Sequence, residues 1–230
     1  MTDDYSKLAD LVVSEFYDST GDNPDICDLH NITQNEHNTN HNCLACNFAE
    51  TVISLKVIAQ SLVHIQEHDS VTAKQTYIIW MYLLFERMEE IFKLISLPME
   101  YKTTRFPIGK LIKNWANFLK HPKAFLLTHH ASYKDVDINE NINENVININ
   151  DDFIQKYYNG DKHNASLYQT ISNNTNIRVI MPDINKLTIG LGRELKLLKN
   201  IIAENPIYQS VLKDKTVLEN YFSDDNLEQL

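Results

Sequence analysis

Hydrophobic residues recur every three or four positions along most of the chain, which is the pattern of amphipathic helices. Ser70 is the predicted N-cap of the third helix, and Pro98 lies beyond its end. Asp183 and Asn205 are predicted to cap the last two helices, while Pro122 limits the fourth. Six helices are predicted in this way, over residues 5–17, 47–67, 70–96, 108–120, 184–203 and 206–222.

The predicted fold class is therefore mainly α, a helical bundle. Two short apolar runs, 124–128 and 177–181, are candidates for a small β-hairpin, although periodicity does not decide so short a case. An Asn-rich, low-bulk tract at 135–152 predicts a surface loop. It divides the chain into a helical bundle at 1–134, with a zinc-binding loop at 18–46, and a C-terminal helical extension at 153–230.

Composition excludes several classes of function. The chain has 230 residues, 43% of them hydrophobic, which is enough for a substantial core. Neither glycine-rich phosphate-loop motif occurs, nor does the G-x-S-x-G elbow of a hydrolase nucleophile. No apolar run reaches the ~18–20 residues that span a bilayer, and the first residues do not resemble a signal peptide. We therefore expect a cytoplasmic protein without a membrane partner.

Charge is distributed unevenly along the chain. There are 21 basic and 31 acidic side chains, and the formal net charge is −10. Residues 101–134 nevertheless contain seven Lys or Arg residues and no acidic residue. Such clustering is typical of a surface for an anionic partner. The alternative is that these cations face the acidic segments, either within the chain or across a dimer.

All three cysteines lie within one polar segment and form a pattern typical of zinc sites. Two residues separate Cys27 from His30, two separate Cys43 from Cys46, and twelve separate the two pairs. This spacing predicts a closed, tetrahedral, structural zinc site, since paired thiolate and imidazole ligands on short turns suit Zn²⁺. His37 and His41 are alternatives to His30, and an open catalytic metal site or free thiols are the other interpretations.

The richest chemistry lies on the helix that precedes Pro122. Lys113, Asn114, Asn117, Lys120 and His121 fall near one face, whereas Trp115 and Phe118 on the other side are predicted core. A histidine that titrates near neutral pH can deprotonate a 2′-hydroxyl, and lysines can stabilise phosphate charge. The simpler interpretation of His121 is a helix C-terminal residue favoured by the macrodipole. Four further cations are candidate nucleic-acid contacts: Lys102, Arg105, Lys110 and Lys123.

A basic residue followed by Asn, with a histidine near the end of the same helix, resembles the HEPN superfamily over at most residues 48–134. Here Lys113 stands where the family usually has Arg, and the spacing to His121 is longer. The resemblance implies a helical bundle, commonly dimeric. It also implies metal-independent RNA cleavage of the kind found in bacterial defence, toxin–antitoxin and CRISPR-associated systems, with an operon partner protein as a further expectation.

Two functional hypotheses follow. In the first, the chain is an HEPN-like RNA-binding protein and candidate endoribonuclease, in which His121 acts on the 2′-hydroxyl or leaving group. Lys113 and Lys120 then stabilise phosphate, and Asn114 and Asn117 orient them. In the second, it is a non-catalytic, zinc-stabilised interaction protein that docks an acidic partner or nucleic acid through 101–134. Metal-dependent hydrolysis at His37 or His41 is a third. The H-x-x-E-H order at 64–68 matches a zinc-protease motif but is more typical here of a solvated helix end.

The zinc site generates the first prediction. Metal analysis of the purified protein should find about one zinc per chain, because a closed set of four ligands holds a single ion. Cys43→Ser should lose most of that zinc, whereas His64→Ala, which changes a histidine outside the loop, should retain it. Zinc-free wild type, or full zinc in Cys43→Ser, would rule out the site.

Overall fold

A computed structural model describes residues 5–17, 44–121, 147–158 and 177–213. Within these ranges the chain is mainly helical, as the hydrophobic pattern predicts. The α-helices are α1 (Leu8–Val12), α2 (Leu44–His68), α3 (Ser70–Leu94), α4 (Met99–Arg105), α5 (Pro107–Leu119), α6 (Asp151–Tyr157), α7 (Ile184–Ala203) and α8 (Pro206–Lys213). A π-helix, Val13–Tyr17, continues α1, and two short strands are β1 (Ile147–Ile149) and β2 (Ile177–Val179).

The caps of the helices agree with the prediction except at α3. The Asp69 carboxylate accepts hydrogen bonds from the backbone N–H groups of Val71 and Thr72, at 2.9 and 3.4 Å, so Asp69 rather than Ser70 is the N-cap. Asp183 caps α7 in the same manner, as predicted. Two described helices, α4 and α6, were not predicted. None of the residues of α4 is buried, so its sequence lacks an apolar stripe. Helix α6 begins inside the Asn-rich tract 135–152, which predicts a surface loop.

Helices α2 and α3 are joined through Asp69 alone and pack against each other along their length. So short a connection makes neighbouring helices antiparallel. Their facing sides contribute to one hydrophobic core, in which the largest fully buried side chains include Trp115, Tyr77, Phe16, Phe106 and Phe118. None of the described helices is long and apolar enough to cross a membrane.

Helix α7 belongs to the same core as the N-terminal helices. It packs against α1, α3 and α5, and the hydroxyl groups of Tyr77 on α3 and Thr188 on α7 are hydrogen-bonded at 2.9 Å inside the core. Leu191, Leu195 and Leu198 of α7 are buried in that cluster. The described part of the C-terminal region therefore completes the bundle rather than standing apart from it.

The two strands pair differently from the predicted hairpin. β2 lies inside the apolar run 177–181, but its partner is β1, and the two strands run parallel with Ile149 opposite Val179. Parallel strands require a crossover, and α6 lies in the chain between them. β1 lies within the Asn-rich tract 135–152, whose low bulk predicts a surface loop instead of a strand. The other run, 124–128, lies outside the described residues.

Helix α5, which carries the candidate site, lies very close to its neighbours at two glycines. A Cβ atom on Gly109 would lie 2.0 Å from the Phe85 ring of α3, and one on Gly190 of α7 would lie 2.9 Å from Ile108 of α5. Glycine inside a helix costs ~1 kcal/mol relative to alanine. Gly190, which weakens the α7 prediction on propensity alone, is therefore explained by the close contact that it allows with α5.

Glu194 of α7 caps the N-terminus of α5 from outside that helix. Its two carboxylate oxygens accept hydrogen bonds from the backbone N–H groups of Ile108 and Gly109, at 2.6 and 2.8 Å. These N–H groups have no partner within α5, so the carboxylate satisfies donors that burial would otherwise leave unpaired. Burial raises the pKa of Glu194 to about 7, although both backbone hydrogen bonds act to lower it.

This cap predicts a pH dependence of folding. Because the pKa of Glu194 is raised from 4.5 to about 7 on folding, the folded state binds more protons between these values, and this contribution to the free energy of unfolding falls as the pH rises through that window. The measurement is urea unfolding at pH 4.5, 6 and 8. From the lowest to the highest pH, the free energy of unfolding of wild type should fall by ~1–3 kcal/mol relative to that of Glu194→Gln, which cannot titrate.

The opposite trend would show that the backbone donors outweigh burial and that the carboxylate is the preferred form. A constant difference between wild type and Glu194→Gln across the three pH values would show that Glu194 does not titrate in this window. Each result contradicts the raised pKa.

Candidate nucleic-acid interface

The two sides of α5 separate as its pattern predicts, except at Asn114, which is predicted on the polar side and is buried. Ile112, Trp115 and Phe118 are fully buried, which confirms the core assignment of the two aromatic residues. The indole N–H of Trp115 donates to the Asp151 carboxylate of α6 at 2.8 Å, so the tryptophan also fixes α6 against α5. The polar side of α5 faces α3 and α4, and its candidate residues are Lys110, Lys113, Asn114 and Asn117.

Lys113 is engaged by an acidic partner. Its ammonium group donates to both carboxylate oxygens of Glu89 on α3, at 2.8 and 2.7 Å. The two side chains are 36% and 29% exposed, so solvent screens the pair and its contribution to stability is within about 1 kcal/mol. The pair instead holds the Lys113 ammonium beside α3 and offsets part of its charge.

Lys120 is engaged in a different way. Its ammonium group lies 3.7 Å from the centre of the Tyr82 ring, a cation–π contact, and the Tyr82 hydroxyl donates to Glu86. Burial lowers the pKa of Lys120, and the charge of Lys113 acts in the same direction while Glu86 opposes it. Burial, followed by the hydrogen bond to Glu86, raises the pKa of the Tyr82 hydroxyl.

These contacts share one register between α3 and α5. Glu89 contacts Lys113, and Tyr82 contacts Lys120. Seven residues forward along α3, from Tyr82 to Glu89, therefore correspond to seven residues backward along α5, from Lys120 to Lys113. The two helices are therefore antiparallel. The sequence places Tyr82, Glu86 and Glu89 on one side of α3, because their spacing is helical. It does not show that this side of α3 faces α5.

A cleft of about 370 Å³ lies between α3, α4 and α5, along α5 from Lys110 to Asn117. Its walls combine aromatic and aliphatic surface with cationic and amide groups. Asn114 is only 3% exposed and lines this cleft, yet its side-chain amide makes no hydrogen bond within the described chain. The lining residues are Phe85, Glu89, Phe92, Lys93, Met99, Lys102, Thr103, Lys110, Lys113, Asn114 and Asn117.

Three cations beside the cleft form a basic ridge, which we define as Lys102, Arg105 and Lys110. No described acidic side chain forms an ion pair with any of the three. Arg105 and Lys110 are exposed, and Lys102 is half-buried. The guanidinium of Arg105 lies 5.7 Å from the ring centre of Tyr101, which is 42% exposed. Positive charge without internal neutralisation is therefore concentrated at this edge of the bundle.

His121 lies at the opposite end of α5 from the ridge. Its backbone N–H donates to the Phe118 carbonyl at 3.0 Å, and the residue is half-buried just beyond the last turn. It follows Lys113 by eight residues, a separation of about 12 Å along a helix axis. The described structure thus groups Lys102, Lys110, Lys113, Asn114 and Asn117 around the cleft but does not bring His121 to it. Lys123 lies outside the described residues.

The predicted metal ligands fall almost entirely outside the described part of the chain. Cys27, His30 and Cys43, like the alternatives His37 and His41, lie in the range 18–43, and only the backbone of Cys46 is described, at the start of α2. Among the described residues, no three His, Cys, Asp or Glu side chains are grouped so that they could hold a metal ion.

Comparisons with known proteins add no relative. The chain matches no protein-family model, no curated protein and no solved structure.

The Lys113–Glu89 pair generates a prediction about surface charge. Glu89→Gln should release the positive charge of Lys113, and the protein should then elute from heparin at higher salt than wild type. Its free energy of unfolding should change by about 1 kcal/mol or less, because the pair is partly exposed.

The matched control is Glu204→Gln, which makes the same charge change at an exposed position at the end of α7. It should shift heparin elution less. Equal shifts for both variants would show that net charge rather than the cleft governs polyanion binding.

Proposed function

We propose that this chain is an RNA-binding protein of HEPN-like helical type, whose binding surface is the basic ridge and the adjoining cleft. The observation that carries the proposal is the absence of an acidic partner for the ridge within the described chain, in a protein whose formal net charge is −10. Phosphate contacts from Lys and Arg supply most of the affinity of non-specific nucleic-acid binding. With a formal net charge of −10, binding of a polyanion depends on a local cluster of cations such as this one.

The local chemistry supports single-stranded RNA over a duplex. The ridge adjoins a tyrosine, Tyr101, which is 42% exposed beside the cations. Phe85 and Phe92 line the adjoining cleft but are each only 3% exposed, so Tyr101 is the aromatic surface that a base can reach. Proteins recognise unpaired RNA by combining cationic contacts to the backbone with aromatic surfaces on which bases stack. An A-form duplex would instead require a broad surface matched to its minor groove.

Cleavage is the more demanding part of the proposal. His121 remains the candidate general base, and Lys113 and Lys120 remain the candidate phosphate-stabilising groups. Both lysines are already engaged by α3, and His121 lies about two helical turns beyond Lys113. A second copy of the chain, which the HEPN resemblance implies, would be one way to supply a further cation near His121.

The same contacts favour a second candidate function, a non-catalytic interaction protein. Ion pairing of Lys113 with Glu89, and stacking of Lys120 on Tyr82, give these lysines a structural role that does not require a substrate. In that case the ridge docks an acidic partner protein or nucleic acid, and His121 is a helix C-terminal residue. Both candidate functions include a structural zinc ion bound by Cys27, His30, Cys43 and Cys46. The ion would stabilise an otherwise polar loop.

RNA binding is tested with a fluorescent single-stranded RNA and its hairpin counterpart, in buffer containing a chelator. Wild type should bind the single strand more tightly, and Lys102→Ala/Arg105→Ala/Lys110→Ala should weaken binding at least tenfold and flatten its salt dependence. The control removes three exposed or half-exposed cations elsewhere, Lys156→Ala/Lys186→Ala/Lys196→Ala. Undetectable binding by wild type, or equal losses in both triple variants, would contradict the proposal.

Cleavage is assayed on the same RNA by gel electrophoresis. If the chain is an endoribonuclease, wild type forms products with chelator present and His121→Ala loses them while retaining RNA affinity. Intact RNA with wild type, together with normal binding, supports the interaction protein instead.

A further inference from the structure

We propose that the cleft between α3, α4 and α5 is a recognition subsite for a single nucleotide of the bound RNA. Lys102 and Lys110 hold its phosphate, and the Asn114 amide contacts the edge of its base. This inference rests on the proposed function and deepens it, since it names the unit of RNA that is recognised and the residues that recognise it.

The size of the cleft fits one small ligand. Its volume of about 370 Å³ is near the lower end of the range for small-molecule sites. Phe85 and Phe92, each 3% exposed, form the apolar base of the wall, and Met99, which is 71% exposed, also lines the cleft. One base with its sugar and phosphate suits this mixture of apolar wall and cationic edge, because a base has a flat apolar face and a polar edge.

Asn114 provides the strongest indication of a ligand. The residue is 3% exposed, lines the cleft, and has no hydrogen-bond partner for its amide within the described chain. A side-chain amide carries two donor hydrogens and an acceptor oxygen. Among the described residues only Arg87 Nε is a fully buried side-chain polar atom without a partner, so the Asn114 amide keeps some contact with solvent in the cleft. A ligand that presents both donors and acceptors would replace that solvent. The edge of a nucleobase has that property.

The two cations supply the phosphate contact. Lys102 on α4 and Lys110 on α5 both line the cleft and are without a described ionic partner, whereas Lys113 beside them is held by Glu89. Lysine binds phosphate as a mobile point charge, so two lysines on different helices can converge on one anion. The subsite extends along α5 from Lys110 to Asn117, and His121, which follows Asn117 by four residues, does not line it.

The test is competition between mononucleotides and a labelled single-stranded RNA. Each of the four nucleoside 5′-monophosphates is added to the protein–RNA complex. The matching nucleoside and inorganic phosphate are added to separate samples as controls. At least one monophosphate should displace the RNA, and its nucleoside and phosphate alone should be at least tenfold weaker, because each lacks half of the contacts.

Variants assign the subsite to named residues. Lys102→Ala/Lys110→Ala should weaken direct binding of the monophosphate at least tenfold in calorimetry. The control Lys156→Ala/Lys186→Ala, with the same change in net charge at exposed positions, should bind like wild type. Asn114→Asp keeps the shape of the side chain but adds negative charge and removes the amide donors, so it should also weaken binding at least tenfold. Asn117→Asp, at a half-buried position in the same cleft, replaces it if thermal unfolding shows that Asn114→Asp is not folded.

The outcomes separate the two proposals. Absence of RNA binding by wild type overturns the proposed function and this inference with it. RNA binding without displacement by any monophosphate overturns the subsite alone. The subsite is also overturned if the Lys102→Ala/Lys110→Ala variant binds the monophosphate as tightly as wild type. It is overturned as well if the control double variant loses as much monophosphate affinity as Lys102→Ala/Lys110→Ala.

Discussion

The close approach of α5 to α3 is the constraint on which the rest of the described structure depends. Gly109 lets the backbone of α5 lie against the Phe85 ring, where any Cβ would overlap it. This contact sets how deeply α5 enters the bundle and therefore buries Trp115 and Phe118 against α6 and Tyr158. The same approach brings Glu89 within reach of Lys113 and Tyr82 within reach of Lys120. Packing and charge pairing thus reinforce one register.

The N-terminus of α5 is held by a second constraint, the carboxylate of Glu194. A helix that begins inside a protein must find partners for its first N–H groups, and here α7 supplies them. The consequence reaches the candidate site, since Ile108 and Gly109 immediately precede Lys110. Glu194 therefore fixes the turn from which Lys110 projects to the cleft.

The cations of residues 101–121 do not form one uniform surface. Those that face α3 are matched by a tyrosine and two glutamates, while those on α4 and at the start of α5 have no acidic partner within the described chain. A helix bundle produces this division without special design, because one face of α5 must pack and another must face solvent. Only the unmatched cations retain a long-range field for an anionic partner. This is why the proposals centre on Lys102, Arg105 and Lys110 rather than on His121.

The sequence by itself determined the helices, most caps and the buried side of α5, because helical periodicity and capping are local properties of the chain. It also revealed the cluster of cations and the cysteine–histidine spacing, since both are matters of order along the chain. It missed α4, which buries no side chain, and α6, which begins inside the Asn-rich tract, and it mistook the partner of β2. Only the tertiary structure decided which lysines are neutralised, that Glu194 caps α5, and that Asn114 lines a cleft without a partner. These facts depend on residues from separate helices meeting in space, and neither hydrophobic periodicity nor charge counting along the chain carries that information.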